Sequence, residues 1–515
     1  MRIGTNVAAI VANNALQKSQ NNLSTSIERL SSGYKINGSK DDAAGCAISE
    51  KMRAQIRGLS QAQNNTADGV SVLNTAEGAI TEIQSMLTRL KELSVQAAND
   101  VNSDDEREAI QKEIEQINNE IDRISDQTEF NTQSLINGNL SRRVYSDLQG
   151  VNQLSVSDSY TAGVYGITVT EDARQAIAVG AGSITMSSTA SITEEQAGEI
   201  NINGYKISIS EGDTLDKVMG KIIDGVNITG GSAFTVKDLN NDTAANGTDY
   251  AGYVPTADYA GSTLVIMTNQ YGSDQKMNIT CDNAELADIL GIPQAATQDG
   301  IYVEGSDVKA EIATGDDGKR IGFADSAILS TKGTVITVTD VNNKEFSMDV
   351  PGNAAGTVFD DSNNDGQSAA GAGTARTISQ EVTDVGTMSI HVGANQDQVI
   401  VIDIPAITTY SLGTEHMNVM TQYTASRAIS TVDEAINKTN KIRSRIGAYE
   451  NRFDHTTNNL EVSSENLTKS LSTMIDTDMS EEMTTYTSET VLTQAATSIL
   501  AQANERPSQV LQLLQ

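Results

Sequence analysis

The chain has 515 residues, a net charge of −33 at pH 7 and a pI of about 4.3. This charge excludes nucleic acid as an expected partner, because phosphate backbones repel an acidic surface. Tryptophan is absent and aromatic residues make up only 4% of the chain, a composition that favours helix bundles and small β domains over one large globular core. No apolar run reaches the length of a membrane span, so no membrane partner is expected.

Two further features limit where the chain is found. Cys46 and Cys281 lie far apart in unlike contexts, so both are predicted to be free thiols. The apolar run Val7–Ala12 is too short for the core of a secretory signal and is followed at once by two asparagines. The protein is therefore expected either to stay in the cytosol or to leave the cell without a cleaved signal.

The first forty residues predict a helix with a thin apolar stripe. Leu23, Ile27 and Leu30 recur at spacings of four and three, as in a heptad pattern. Ser31–Gly33 ends this helix, because serine and glycine disfavour its continuation.

Asp42–Asn99 predicts one long helix. It contains no proline, and its three glycines, Gly58, Gly69 and Gly78, are isolated. A continuous helix here would be on the order of 80 Å long. Its apolar stripe cannot be buried against itself, so partner helices are required. The stripe consists of Ile48, Met52, Ile56, Leu59, Val70, Leu73, Ile80, Ile83, Leu87 and Leu90.

A second helix follows a short break at Asn99–Ser103. Its isoleucines alternate strictly at spacings of four and three, which is the strongest coiled-coil pattern in the chain. They are Ile110, Ile114, Ile117, Ile121 and Ile124. The short break predicts that this helix folds back antiparallel against the long one.

The character of the sequence changes between Arg143 and Pro405, where glycine is frequent and the surface is acidic. Alternating isoleucines flank Asn203-Gly204, a pair typical of a two-residue β-hairpin turn. A short helix is predicted from Thr214. Further strands are predicted at Thr263–Thr268, Thr334–Thr339, Glu345–Val350 and Val399–Ile404.

Helical spacing returns after Pro405, and only these C-terminal helices are long enough to partner Asp42–Asn99. The predicted fold class is α+β: a long antiparallel α-helical coiled-coil bundle formed by the N- and C-terminal segments, with inserted β-rich domains. The predicted domains are terminal helices at 1–42 and 476–515, a helical-bundle core domain at 43–175 and 406–475, an inserted α+β domain at 176–300 and a second inserted β-rich domain at 301–405.

Both ends of the chain resemble bacterial flagellins over roughly the first 140 and last 110 residues. The segments that carry the resemblance are Arg29–Gly33, Asp41–Gly45, Thr75–Ala79, Ile446–Ala448 and Ser498–Asn504. Ile200 to about Met277 is also similar to a small repeat often inserted in flagellins.

The resemblance implies a structural subunit that polymerises into the bacterial flagellar filament for motility. It further implies export of the unfolded chain through the flagellar export apparatus to an extracellular flagellum. The implied partners are other copies of the chain, an export chaperone, the filament cap, hook-associated proteins and the host flagellin-sensing Toll-like receptor. The terminal helices would form the inner filament core. A hook–filament junction protein shares the terminal pattern and is the alternative.

The resemblance also implies two sets of site residues. Leu87, Arg89, Leu90, Leu93 and Glu113 resemble the surface that the receptor and neighbouring subunits contact in the family. The simpler interpretation is that the leucines are core and Arg89 faces water, and both interpretations can hold together. Filament-core packing is expected from Leu23, Ile27, Leu30, Ile499, Leu500, Leu511 and Leu514.

Other chemistry finds little support. Asp361, Asn363, Asp365 and Gly366 match the first half of a calcium loop, but the twelfth position is Ala372 instead of glutamate. The chain also lacks a nucleophile constellation and a phosphate loop, and its three histidines have no zinc spacing. No cofactor, no metal and no enzymatic activity are expected. The histidines are His391, His416 and His455.

Overall fold

In the computed structural model, the chain is described over residues 6–157, 160–180, 182–236, 259, 261–292, 301–315, 318–340, 344–352, 359–360, 369–370, 375–383 and 385–513. It divides into two structural units. Unit 1 consists of Met1–Val70, Ile390–Ile400 and Asn451–Gln515, and unit 2 of Ser71–Ser389 and Val401–Glu450. Each unit thus combines residues from the N-terminal and C-terminal parts of the chain.

The described residues form eight α-helices, and the two longest supply helical residues to both units. The long helix predicted at Asp42–Asn99 is confirmed as a 55-residue helix. The helices are α1 (Val7–Ser32), α2 (Ala43–Ala97), α3 (Asp104–Gln127), α4 (Leu215–Ile228), α5 (Ala284–Ile289), α6 (Thr409–Leu412), α7 (Gln422–Ile475) and α8 (Met479–Leu513).

The described strands have two to nine residues, and all of them lie between α3 and α6. They are β1 (Glu129–Phe130), β2 (Gln133–Ser134), β3 (Val144–Ser146), β4 (Asn152–Val156), β5 (Gly163–Glu171), β6 (Ile177–Val179), β7 (Gly198–Ile202), β8 (Tyr205–Ile209), β9 (Gly231–Val236), β10 (Thr263–Thr268), β11 (Lys276–Cys281), β12 (Ile301–Glu304), β13 (Lys309–Ile312), β14 (Ile328–Lys332), β15 (Val335–Thr339), β16 (Glu345–Asp349), β17 (Phe359–Asp360), β18 (Ala369–Ala370), β19 (Arg376–Val382), β20 (Met388–His391) and β21 (Val399–Ile402).

Unit 1 contains close contacts at two glycines of α2. A Cβ atom on Gly58 would lie 3.0 Å from the Cβ atom of Ala394, and one on Gly69 would lie 3.1 Å from the ring of Phe453. The Phe453 ring is fully buried. Glycine therefore lets these neighbours approach the helix more closely than any other residue would. The third glycine, Gly78 in unit 2, has no neighbouring atom within 4 Å of its Cβ position.

In unit 2 the second half of α2 packs antiparallel to the first half of α7. Gln84 Nε2 donates to Asn440 Oδ1 at 3.0 Å, and Lys91 Nζ lies 2.6 Å from Asp433 Oδ1. Residue numbers rise along one helix as they fall along the other, as antiparallel packing requires. The pairing of N-terminal with C-terminal helices that the apolar stripes predict is confirmed.

The turn between α2 and α3 is closed by an arginine and a capping box. The buried Arg107 donates from Nε to the carbonyl oxygen of Ala97 and from Nη2 to that of Asn99, both at 3.2 Å. A cation there stabilises the end of α2, where carbonyls lack helical partners. The Ser103 hydroxyl and the Glu106 carboxylate each accept from the other residue's backbone N–H. The backbone N–H of Ser103 and its hydroxyl both donate to the Glu106 carboxylate, and these two hydrogen bonds lower the pKa of Glu106.

The β-rich middle of the chain leaves and rejoins the bundle at one place. The backbone N–H of Arg143 donates to the carbonyl of Val385 at 2.9 Å, and that of Thr383 donates to the carbonyl of Arg143 at 3.1 Å. Ile404 likewise donates to the carbonyl of Leu140 at 3.2 Å. The outgoing and returning strands of chain are hydrogen-bonded side by side, as expected for an insertion.

The first part of the insertion has a large hydrophobic core made by residues between Ala176 and Val303 and a smaller cluster of Val179, Phe234, Val265 and Met267. It contains two antiparallel sheets, with strand orders β12-β11-β7-β8 and β6-β10-β9. The predicted hairpin is confirmed, because Asn203 and Gly204 have φ values of +50° and +92°. The apolar face of α4 is buried in this core, and Cys281 is a buried free thiol there whose pKa is raised by burial.

The second part of the insertion is built from two separate stretches of chain. The first of these stretches lies before residue 175, the predicted end of the helical-bundle domain. Strands β3 and β5 lie in a sheet of order β13-β5-β19-β3, and β4 lies in a sheet of order β14-β15-β16-β4. Residues 144–171 therefore share sheets with residues 309–382. Their common core contains Tyr160, Tyr165, Phe323 and Phe346, whose rings contact one another at centroid distances of 5.0–6.1 Å. This aromatic cluster fills a core that has no tryptophan.

Among the described helices, none combines the length and the apolar character needed to cross a membrane.

The contrast between the glycines of α2 can be tested by alanine substitution. Gly78→Ala should stabilise the chain by up to about 1 kcal/mol, because alanine favours the helix and nothing obstructs its methyl group. Gly69→Ala should lose this gain and destabilise by about 1 kcal/mol, because the methyl group would press on the buried Phe453 ring. Urea unfolding followed by circular dichroism measures both, and equal stabilisation by the two variants would contradict the role assigned to Gly69.

Candidate assembly surfaces

The helices at the two ends of the chain pack against each other in unit 1. Asn22 Nδ2 donates to Glu489 Oε1 at 2.9 Å, and Ser26 Oγ donates to Glu482 Oε1 at 2.5 Å. Arg29 lies 3.6 Å from the same Glu482 carboxylate, which is almost fully buried. The numbering runs in opposite directions along α1 and α8, so the pair is antiparallel. Polar contacts fix its register.

The base of this pair is held by the segment that follows α1. Gly33 adopts φ +76°, the left-handed conformation that ends a helix, as its position after two serines predicts. Its carbonyl accepts from the backbone N–H of Thr477 at 3.0 Å, and the N–H of Lys35 donates to the carbonyl of Ile475 at 2.6 Å. The segment that follows α1 is therefore joined through its backbone to the junction between α7 and α8.

One apolar face of α1 is exposed in the part of the chain that the structure describes. Val7, Ile10 and Val11 have exposed fractions of 64%, 51% and 61%. Their spacing of three and four places them on one side of the helix, away from the buried Ala12 and Leu16. Five apolar side chains of α8 are at least 49% exposed as well: Met479, Met483, Val491, Leu492 and Ile499. Exposed apolar residues in this number indicate a surface that another protein covers.

The residues predicted for core packing of the terminal helices are partly covered. Leu23, Leu30 and Leu500 are half-buried, whereas Ile27 and Ile499 are about half exposed or more. Leu511 lies in α8 but its side chain is outside the described part, and Leu514 lies outside the described residues altogether. The structure contains one subunit, so contacts of these residues with other subunits are not seen. Their packing role in a filament stays a prediction.

A second candidate surface lies on unit 2, where α2 faces α3. Arg89 donates to Glu113 Oε1 from Nη2 at 2.8 Å and from Nε at 3.0 Å, and to Glu92 Oε2 from Nη1 at 3.2 Å. The side chains of Arg89 and Glu113 are 50% and 46% exposed. Hydrogen bonding to Glu113, followed by that to Glu92, raises the pKa of Arg89. The pair forms a charged patch open to a partner.

The three leucines predicted beside this patch are not on the surface. Leu87, Leu90 and Leu93 are at most 1% exposed. They are part of the bundle core, as their position in the apolar stripe of α2 indicates. The structure thus brings Arg89 and Glu113 together and places the leucines beneath them, where they hold the helices that carry the patch.

Sequence reasoning missed the polar residues that set these contacts. Glu482 has no distinctive pattern around it, yet it accepts from Ser26 and pairs with Arg29. In the sequence Arg107 is one of several charged residues on a polar helix, but in the structure it is buried. The partners of Glu482 lie on the opposite end of the chain, and Arg107 binds backbone carbonyls across the turn between α2 and α3, so helical spacing carries no signal for either role.

The described part of the chain contains no candidate metal site. No group of three or more histidine, cysteine, aspartate or glutamate side chains is placed there to hold an ion. The calcium-like residues Asp361, Asn363, Asp365 and Gly366 lie outside the described residues.

Comparisons with known proteins decide the family. A family model described as the bacterial flagellin N-terminal helical region matches residues 3–141, and one described as the C-terminal helical region matches residues 429–514. Flagellin of Salmonella typhimurium is 32% identical over 537 aligned residues, which cover 99% of this chain and 99% of that protein. The chain belongs to the bacterial flagellin family.

Other relatives agree. Polar flagellin A of Vibrio parahaemolyticus is 30% identical over 515 residues, covering 100% of this chain and 99% of its own length. Among solved structures, FliC from Burkholderia pseudomallei aligns at 13% identity with a TM-score of 0.22, covering 75% of this chain and 99% of that one. The family assignment rests on the sequence matches. As a flagellin, the chain is a self-polymerising structural subunit of the flagellar filament and not an enzyme.

Proposed function

We propose that the chain enters the filament by burying the uncovered apolar face of its terminal helices between subunits. The observation that carries this proposal is the cluster of Val7, Ile10 and Val11, all more than half exposed on one side of α1. Covering such side chains is favourable by roughly 25 cal/mol for each Å² removed from water. Repeated along a helical polymer, this contact would be the main attraction between subunits.

The predicted division into domains supplies the rest of the arrangement. Residues 1–42 and 476–515 form the inner filament core, residues 43–175 and 406–475 form the surrounding bundle, and residues 176–300 and 301–405 are insertions that the core does not need. The hydrogen-bonded stem at Arg143 and Val385 supports an insertion that leaves and returns at one point, with bounds near residues 143 and 385 instead of 176 and 405. The sheet pairing of residues 144–171 with residues 309–382 supports placing them with the second insertion.

Export and capping follow the family pattern in this proposal. The chain passes unfolded through the flagellar export apparatus, an export chaperone shields the C-terminal apolar residues, and the filament cap and hook-associated proteins contact the assembled ends. The extracellular flagellum is the destination. The support is physical: isolated helices with thin apolar stripes are marginal in water, so α1 and α8 are suited to forming late, during assembly.

The patch of Arg89 and Glu113 is proposed as the surface that the host flagellin-sensing Toll-like receptor and neighbouring subunits contact. A guanidinium group held by carboxylates presents donors in a fixed fork, which suits recognition by a partner. Leu87, Leu90 and Leu93 contribute by fixing the backbone beneath the patch.

Assembly through α1 predicts the effect of one added charge. Val11→Glu should abolish or strongly delay polymerisation, because a carboxylate would have to be buried between subunits without a partner. Gln20→Glu is the matched control, since it adds the same charge at an exposed position of the same helix. Light scattering and negative-stain microscopy measure the difference. Equal polymerisation of both variants would remove the apolar face from the proposal.

We expect a chain without the insertions to form filaments that are thinner but intact. A variant in which a short Gly-Ser linker replaces residues 144–382 removes whole sheets and joins Arg143 to Thr383, whose backbones are already in contact. A comparison deletion of residues 200–402 leaves β3, β4 and β5 without their partners and should aggregate. A folded 144–382 variant that cannot polymerise would show that the insertions make essential contacts.

The receptor proposal predicts a loss of binding without a loss of stability. Arg89→Ala should leave the melting temperature nearly unchanged, because exposed ion pairs contribute little to folding. Binding to the receptor should weaken about thirtyfold, as for an anchor arginine at an interface. Arg123→Ala, which removes an exposed arginine paired with Glu120 on α3, is the control. Surface plasmon resonance on the monomers would refute the proposal if Arg89→Ala bound as tightly as the parent.

A further inference from the structure

A cleft in unit 2 has a lining unlike the rest of this acidic chain. Its volume is about 400 Å³, and its walls are β4, β16, the segment 405–412 and one face of α7. Lys438, Lys441 and Arg445 lie on that face at spacings of three and four, so three cations line one small cavity. The size lies within the range of pockets that hold small molecules.

Two of the three cations are already neutralised. Lys441 Nζ lies 3.1 Å from Glu345 Oε2, and Arg445 Nη2 lies 3.2 Å from the fully buried Asp403 carboxylate. Lys438 differs, because its Nζ donates to the carbonyl oxygen of Ser411 at 3.1 Å and no carboxylate of the described residues comes within ion-pair distance of it. One positive charge in the cleft therefore lacks a counterion.

Lys438 is an exposed residue, so its ammonium is open to solvent at the edge of the cleft. Partial loss of hydration lowers its pKa, while the field of the nearby Glu434 and Glu345 acts in the opposite direction. An anion that enters the cleft would supply the counterion that Lys438 lacks. The neighbouring walls offer hydroxyl groups from Ser155 and Ser157, which can donate hydrogen bonds to anion oxygens.

The remaining lining is apolar. Leu154, Pro405 and Leu412 border the cleft beside the cations. A simple inorganic ion would leave this surface wet, whereas an anion with a hydrocarbon part would cover it. The lining thus selects for charge and for apolar area in the same ligand.

We propose that this cleft binds a small organic anion, with its carboxylate or phosphate group against Lys438 and its hydrocarbon part against Leu154, Pro405 and Leu412. The site is separate from the assembly surfaces described above. The proposal goes beyond the filament-subunit function, which makes no use of this cleft.

The test uses the full chain kept monomeric, titrated calorimetrically with sodium hexanoate, hexyl phosphate, inorganic phosphate and 1-hexanol. Hexanoate, hexyl phosphate or both should bind saturably to the parent chain. Inorganic phosphate and 1-hexanol should bind at least about tenfold more weakly, because each lacks one half of the recognition. Whichever of the two organic anions binds more tightly identifies the preferred head group.

Two variants assign the binding to Lys438. Lys438→Gln should weaken the tighter anion about tenfold or more, as expected for loss of a charged hydrogen-bond donor. Lys112→Gln, at an exposed lysine of α3, should leave it unchanged. Lys438→Arg should restore most of the affinity, and circular dichroism should show the same helix content in all variants.

The proposal fails if the parent binds neither organic anion, if 1-hexanol binds as tightly as they do, or if Lys438→Gln binds as tightly as the parent. A filament that weakens on Lys438→Gln while the free subunit binds no anion would assign the cleft to a contact with a neighbouring subunit and would equally overturn the proposal.

Discussion

The structure depends on the need of one helix to cover its apolar side. α2 has 55 residues, and its buried positions Leu73, Ile80, Leu87 and Leu90 recur along one stripe. A helix of this length cannot fold back on itself, and α3 covers only part of it. The remaining cover comes from α7, which lies more than 300 residues further along the chain. Joining the two ends in this way makes the chain between Arg143 and Val385 an insertion.

The joining of distant segments explains which features the sequence predicts and which it does not. Periodicity is local, so the stripes of α2, α3 and α7, the Asn203-Gly204 turn and strand β10 could all be predicted from the spacing of residues. The boundary near residue 175 could not, because the strands that pair with β3, β4 and β5 follow more than 130 residues later. The side chains of a strand indicate that it pairs within a sheet, but they do not specify which strand is its partner.

The same limit applies to the candidate sites. The predicted patch was found in part: Arg89 and Glu113 meet at the surface, while the leucines between them belong to the core. Glu482 and the cleft around Lys438 were not foreseen, since each arises where two or more remote segments converge. The three cations of that cleft share one face of α7, and this spacing is the one signal that sequence alone could have offered.

Negative charge and exposed apolar area lie in different parts of the chain, so repulsion and attraction between subunits act at different surfaces. Most of the net charge of −33 comes from the acidic residues of the insertions, whereas the exposed apolar side chains are concentrated on α1 and α8. Charge of one sign keeps subunits apart in solution and is screened over about 8 Å at physiological salt. Apolar contact acts only at the surface that is covered and is little affected by screening. In the proposed assembly, a chain with repulsion in its insertions and attraction in its terminal helices associates through those helices, and the acidic insertions oppose contact between insertions of neighbouring subunits.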